Sequence, residues 1–496
     1  MKPVSTTRRA AMLIASSLFA TTALGGCMVG PDYHRPNAVM AARFKEMTPP
    51  PPGWAFADPH YAELPKGAWW TLYNDPVLNG LESQIDISNQ TLKASEASYR
   101  NARALVDEAR AGLFPTIGVT PTATRTGTAN ITNSTVGVQG TVDWQLDVWG
   151  QIRRQVQAQA SAAQVSAATL AAARLSIQTT LAIDYFNLRY QDSLQALLDR
   201  FVAYYQQAAQ ITRNSTNAGV SAPSDLLQAE TQLATTQAQS VSVGIQRAQY
   251  EHAIAVLTGH PPADLSLAPG ALTDRIPAIP VTIPSVVLQR RPDIAEGERT
   301  MEQQNALIGV AVAAYYPVIS LSAAGQYVGD PVGGLFRAAN QAWSLGATVA
   351  QSLFQGGERT AAVRAARANF DVSVANYRQT VLNAFQNLED DLSSLRILAI
   401  QADAQANAVN LANQAVEVAF NEYTAGTAIY TTVITSQTTA LTNAQTALGI
   451  QQNRMVASVD LINDLGGGWD ASELPSKASL QTDNPFLPSF IQKDRN

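Results

Sequence analysis

The sequence predicts a mainly α-helical protein with a transmembrane β part, written as two internal repeats. Three observations carry this: long Ala/Gln-rich stretches with helical character, four runs of period-2 alternation, and residue identities that recur at a fixed separation.

The recurrence organises the rest. Gly150 pairs with Gly357, Leu181 with Leu388, Asp184 with Asp391 and Leu188 with Leu395, each at a separation of 207. Ala218-Gly219 pairs with Ala425-Gly426, and Gly259 with Gly466, at the same separation. Upstream, Pro115 and Pro317 lie 202 apart, so the second copy is five residues longer between its Pro and its Gly. Length changes of that kind belong in loops. Each half reads helix, strand, loop, strand, very long helix, turn, helix.

Asp75-Pro76 suits a helix start, with Asp as N-cap and Pro in the first turn. That helix is expected to run to about Leu113, before Pro115. A second is expected from about Gly150 to Asn217, about 100 Å long at 1.5 Å per residue. A third runs from about Pro223 to Leu257. The matching segments of the second half are about 293–315, 357–424 and 428–465. Leu388, Asp391, Leu395, Leu398, Ala402, Gln405, Val409, Ala412, Val416, Ala419 and Tyr423 step by three and four, a heptad seam of small and polar residues. For the helices alone, an ordinary long coiled coil explains the pattern.

The strands discriminate. In TVGVQGTVDWQLDV (135–148), Val136, Val138, Val142, Trp144, Leu146 and Val148 share one face. Thr135, Gln139, Thr141, Asp143, Gln145 and Asp147 share the other. Four strands are expected, at about 116–126, 135–148, 318–328 and 343–354. In the last two, Ile319, Leu321, Trp343, Leu345 and Val349 hold the apolar positions. Pro121 requires an edge or a bulge. Each run has the length of a tilted membrane strand, and its alternation is that of a barrel. Four strands cannot close a barrel, and an open edge in lipid leaves backbone groups unpaired. Either the hairpins rest on the helices in water, or several chains share one barrel. The Ala/Gln-rich helices offer little apolar surface to cover a hairpin, which favours the shared barrel.

Residues 1–26 read as a signal peptide, with Lys2, Arg8 and Arg9 ahead of the apolar run AAMLIASSLFATTAL. It ends in Leu24-Gly25-Gly26-Cys27, and Cys27 is the only cysteine. That tetrad resembles the bacterial lipobox. It implies a thioether-linked diacylglycerol on Cys27, cleavage before it, and an N-acyl chain on the new terminus. The alternative is an ordinary signal with an incidental cysteine. More than one acyl chain gives a stable anchor. Met28, where an Asp would resemble an inner-membrane retention signal, favours sorting to the outer membrane. A single cysteine permits no intrachain disulfide.

Net charge is −6, and loss of the three signal cations leaves the mature chain at about −9. This balance argues against nucleic-acid binding. The four histidines, His34, His60, His252 and His260, show no metal-ligand spacing. No HExxH, Walker A or G-x-S-x-G motif is present. The glycine run Gly466 to Gly468 lacks a following basic residue and helix start. No catalytic residue, metal site or cofactor is expected, the acyl chains on Cys27 apart, and the chain is not read as an enzyme.

Three stretches carry a resemblance: Cys27-Met-Val-Gly-Pro-Asp-Tyr-His-Arg-Pro36, Trp69-Trp70-Thr-Leu-Tyr-Asn-Asp-Pro-Val-Leu78, and Arg290-Arg-Pro-Asp-Ile294 followed by Ile308-Gly309-Val310 and Tyr316-Pro317. In order and spacing they resemble the TolC-like outer membrane factor family, in its lipoprotein (OprM/NodT-like) branch. The resemblance implies a homotrimer whose twelve strands close one outer-membrane β-barrel, continued by a long periplasmic α-helical coiled-coil barrel. It divides the chain into a signal (1–26), a lipidated N-terminal segment with an equatorial part (27–73) and repeat 1 (74–259). A Pro-rich equatorial linker (260–291), repeat 2 (292–467) and a C-terminal equatorial tail (468–496) follow. It implies the outer-membrane exit duct of a tripartite efflux pump in a Gram-negative bacterium. Its partners would be a periplasmic adaptor, an inner-membrane pump of the resistance-nodulation-division class and outer-membrane lipid. The alternatives are the outer-membrane channel of a type I protein secretion system, and a coiled-coil lipoprotein scaffold without a pore. Nothing in the sequence selects the cargo.

The resemblance also implies roles for residues. Val136, Val138, Val142, Trp144, Leu146, Ile319, Leu321, Trp343, Leu345 and Val349 would face lipid. The adaptor would meet the two helix-turn-helix corners, Ala218-Gly219-Val220 and Ala425-Gly426-Thr427; each glycine alone equally suits a plain helix C-cap. Relatives often close the tunnel through carboxylates shortly after the second corner, where this chain has Thr432 and Thr435. The first repeat carries Asp225 at the equivalent place. Asp225, or an apolar constriction of Tyr430 and Val433, is therefore the gate candidate, with Thr432 and Thr435 at the family's positions. Glu389-Asp390-Asp391 would either line the tunnel or form a solvated helix face.

Overall fold

The structure is a computed structural model that describes residues 28–37, 44–46, 67–129, 131–279, 287, 289–329 and 334–480. Cys27 and residues 481–496 lie outside the described residues.

Eleven main elements are described. Helices α1 (Pro76–Ser88) and α2 (Gln90–Ala111) lead to strands β1 (Thr116–Gly127) and β2 (Thr132–Leu146). Helix α3 (Gln151–Asn217) turns into α4 (Pro223–Leu257). Beyond the linker come α5 (Pro292–Ala313), β3 (Val318–Gly329), β4 (Gln341–Ala350), α6 (Glu358–Thr424) and α7 (Tyr430–Asp464). Helices α3 and α6 each have 67 residues, and α4 and α7 each have 35. Both long helices start on a left-handed glycine, Gly150 at φ 77° and Gly357 at φ 91°. No described helix is long and apolar enough to cross a membrane.

The first helix is not continuous. Asn89 divides it, because its side chain serves two masters: Oδ1 accepts from Leu92 N as the cap of α2, while Nδ2 donates to Leu257 O at the end of α4. The chain there also presses Ser88 against Gly259, which has φ 78° and no room for a Cβ. Asp75 caps α1 as expected, accepting from Val77 N and Leu78 N.

Strand limits also shift. β2 ends at Leu146 because Asp147 caps α3: Oδ1 accepts from Ile152 N and Oδ2 from Arg153 N. Asp147 is therefore no pore-facing strand residue, and Val148 lies in the turn. β4 ends at Ala350, leaving Leu353 and Phe354 exposed beyond it.

Helix α3 packs against α2, α4, α5 and α7, while α6 packs against α7 and α5. The wall of long helices thus runs α4, α3, α7, α6. All eleven heptad-seam positions of α6 are buried or half-buried, as their small side chains require for close approach. The largest core lies midway along the wall, where Trp69 and Tyr73 meet Tyr185, Phe186, Leu388 and Met455. The linker docks beside it: Asp192 accepts from Gly270 N, and Arg189 donates to Ala268 O. The described part of the tail, to residue 480, lies along α3, with Gln164 donating to Pro475 O and Leu480 buried against Val106, Ala160 and Ala163.

Candidate functional site

The four strands form one antiparallel sheet in the order β1-β2-β3-β4. Register places Val142 opposite Ile117 and Ala323, and Ala323 opposite Leu345. Trp144 faces Leu321, and Leu146 faces Ile319, which faces Val349. Directly paired residues share a face. Val136, Val138, Val142, Trp144, Leu146, Ile319, Leu321, Trp343, Leu345 and Val349 therefore all lie on one face. Thr116, Thr141, Gln139, Ser320, Ser322 and Thr348 lie on the opposite one. Ile117, Val119, Trp343, Leu345 and Val349 are largely exposed in the single chain. β1 and β4 are the outer strands, so Pro121 sits on an edge, where its missing N–H is tolerated.

Aromatic residues flank the sheet at both ends. At the helix end, Trp144 Nε1 donates to Leu113 O and Trp149 Nε1 to Pro317 O. Trp149 also stacks on Tyr316 at 4.8 Å. At the hairpin end, Tyr327 meets Phe336 at 5.3 Å. Trp144 lies near the end of an alternating run and Trp149 follows it directly, so the helix-end aromatics are visible in the sequence. Phe336 lies in a connection, outside any alternating run, and no sequence signal marks it.

The segment after Cys27 is clamped at the same level as Trp149. Val29 N donates to Trp149 O, and Met28 packs on Gly150. Arg154 donates to Val29 O, Gly30 O and Asp32. Farther on, Arg35 donates to Tyr377 Oη. Phe44 packs on Phe385, and Glu389 accepts from Lys45 N and Glu46 N. The strap's described residues thus sit on α3 at the base of the sheet and, farther along, on α6 at Tyr377, Phe385 and Glu389. No sequence signal singled out Arg154.

At the far end, both corners close in the same way. Val220 N donates to Ser215 O and Gly219 N to Thr216 O; Thr427 N donates to Glu422 O and Gly426 N to Tyr423 O. This is the Schellman pattern, which needs a left-handed residue. Gly219 and Gly426 supply it at φ 73° and 74°. Val220 and Ile429 are exposed there. Ala218, Ala425 and Thr427 complete the two corners.

The gate candidates separate. Tyr430 and Val433 are 2% and 0% exposed, packed among Ala208, Ala209, Ala229 and Ala419. An apolar constriction made of these two is corrected: they are interior packing that joins α7 to α3. Thr432 and Thr435 are exposed on α7, and Asp225 is half-exposed in the first turn of α4. Above the corners, Phe201, Tyr204, Val416 and Phe420, with Arg200 and Glu417, line a groove of about 680 Å³ between α3 and α6.

The acidic cluster is not one face. Glu389 is occupied by the strap. Burial pushes Asp391 up to about 8, with the charges of Asp464 and Asp460 adding to it. Burial alone pushes Asp184 up to about 6. Glu82, in α1, is 1% exposed with neither oxygen hydrogen-bonded; burial pushes it up to about 9, with Asp86 adding. Among the described residues no group of His, Cys, Asp and Glu is placed to hold a metal.

Known proteins share this arrangement. The chain is 27% identical over 473 residues to the probable efflux pump outer membrane protein TtgC of Pseudomonas putida, covering 92% of this chain and 96% of the relative. It is 29% identical over 475 residues to the solvent efflux pump outer membrane protein SrpC of the same species, covering 92% and 98%. The solved outer-membrane channel OprN superposes with a TM-score of 0.81 at 26% identity, over 89% of this chain and 100% of that one. The sequence profile of the outer membrane efflux protein family matches residues 81–260 and 283–467, so the chain belongs to that family.

Proposed function

We propose that the chain is the outer-membrane exit duct of a tripartite efflux pump, passing small toxic solutes from an inner-membrane pump and its periplasmic adaptor to the exterior. One observation carries the reading: a four-stranded sheet with an apolar face, a polar face and two edges without a strand partner among the described residues. In lipid such edges demand partners. Three copies would supply twelve strands in a closed barrel, with Val142, Leu345 and their row toward lipid and the Thr, Ser and Gln row toward the pore.

The helical wall supports the same closure. Its outermost helices both carry exposed apolar residues, Val241 and Ile245 on α4 and Leu411 and Val418 on α6. A head-to-tail contact of that kind closes into a ring. The equal lengths of α3 and α6, and the two stretches matched by the family profile, support a duplicated plan. The two corners, with Val220 and Ile429 exposed and the groove above them, are the proposed adaptor contacts. Asp225, Thr432 and Thr435 are the proposed gate positions. The strap brings Met28 to the base of the sheet, where an acylated Cys27 would sit at the membrane surface. A pump of the resistance-nodulation-division class is the proposed inner-membrane partner.

The test is conductance and stoichiometry. Purified protein should conduct in planar bilayers, and crosslinking should stop at trimers. A non-conducting protein without a trimer band would support a scaffold. Deletion of the gene should raise sensitivity to an exported compound, whereas a purely protein-secreting channel would leave solute sensitivity unchanged.

A further inference from the structure

We propose that Arg125 and Arg337 form a docking surface for the phosphates of the outer-leaflet glycolipid; this rests on the membrane-barrel reading above. Register fixes the depth of Arg125. Pro121 pairs with Val138, and Val138 with Tyr327, so these share a row on the apolar face. Tyr327, against Phe336, marks the aromatic level at the hairpin end. Arg125, opposite Ser134, is on the same face and two rows nearer the hairpin tip. Four residues of strand advance about 13 Å. That carries its side chain past the aromatic level, out of the hydrocarbon and into the headgroup layer.

Arg337 follows Phe336 in the connection between β3 and β4, at the same end of the sheet. Both arginines are exposed, and neither guanidinium has an ion-pair or hydrogen-bond partner among the described residues. From Thr116 to Val142 the sequence holds no acidic residue, and from Val318 to Phe354 only Asp330, which lies outside the described residues. Asp330 apart, the polar groups of the hairpin end, such as Thr124, Ser134 and Asn340, are neutral, so the two arginines outnumber the acid there. Closure of the barrel sets β1 of one copy beside β4 of the next. Arg125 of one copy and Arg337 of its neighbour then flank the same seam. Guanidinium forks match phosphate oxygens bidentately. The hairpin end is opposite the periplasmic helices, so the phosphates are those of the outer leaflet.

The test reconstitutes the trimer in phosphatidylcholine vesicles containing lipid A and measures the lipid A retained per trimer. Binding should weaken about fivefold for each arginine removed in R125Q, R337Q and the double variant, the worth of one cation near an anionic surface. The lysine variants should retain much of it, and conductance should persist in all. Equal retention by wild type and double variant overturns the inference alone. Equal retention of phosphatidylglycerol and lipid A overturns the commitment to the glycolipid. A wild-type chain that forms no trimer in vesicles overturns the barrel reading beneath it.

Discussion

The guanidinium of Arg154 lies 3.0 Å from Asp32 Oδ1 and also holds the carbonyl oxygens of Val29 and Gly30. The two kinds of contact are unequal. Asp32 is 79% exposed, so the ion pair is screened and Asp32→Asn should change stability by less than about 1 kcal/mol. The carbonyl bonds are shielded, and losing them should cost about 2 kcal/mol. Arg154→Met should therefore release the strap, which limited proteolysis near residue 37 would report as faster cleavage, with Asp32→Asn unchanged.

Neighbouring residues of β2 should behave as opposites. Val142→Arg puts a charge on the apolar face at mid-strand and should destabilise the proposed membrane-inserted trimer by about 2–4 kcal/mol. Thr141→Arg, one residue earlier on the polar face, should leave the proposed trimer intact and alter conductance and ion selectivity. Gel mobility with and without heating, followed by single-channel recording, separates them. Equal damage from both would sink the assignment of faces.

Glu82 predicts a pH dependence. Its carboxyl is raised from the ordinary 4.5 to about 9, so the folded chain binds its proton where the unfolded chain has lost it. Stability should therefore fall as pH rises through that window, and the loss is complete only above it. Glu82→Gln should flatten the slope, melting above wild type at alkaline pH and close to it under acid conditions. Thermal scans across pH measure this; a variant with the wild-type slope would count against it.

Gly426 turns α6 into α7 with a left-handed backbone. Gly426→Val should cost about 1–2 kcal/mol locally, because a side chain there crowds the following carbonyl. The core around Tyr185 is far away, so the proposed trimer should still assemble and conduct in bilayers. Resistance in cells should fall if the corner meets an adaptor. Full resistance with a destabilised corner would remove the corner from the contact.

Cys27→Ser should abolish incorporation of labelled palmitate. Unchanged labelling would reject the lipidation site.

The periodicities made much of this architecture legible. Period-2 runs gave four strands to within a few residues, and the Gly150 and Gly357 positions gave the starts of both long helices. What escaped the sequence depends on distant partners. Asn89 breaks a helix because Leu257 and Gly259 arrive beside it, and nothing between Pro76 and Ala111 announces that. Asp147 continued an alternating run, yet Ile152 and Arg153 claimed its oxygens. Tyr430 follows the corner and, with Val433, offers an apolar alternative to Asp225 as a gate, but its ring packs between α3 and α7. Leu480 lies along α3 since Val106 and Ala160 leave an apolar slot there.

The outer edges of β1 and β4, unpaired among the described residues, carry a genetic consequence. If each copy completes the wall of its neighbours, a copy that still folds and joins but offers a faulty β4 spoils every assembly it enters. Such alleles should be dominant over the wild type in a cell expressing both, whereas alleles that prevent folding outright should be recessive.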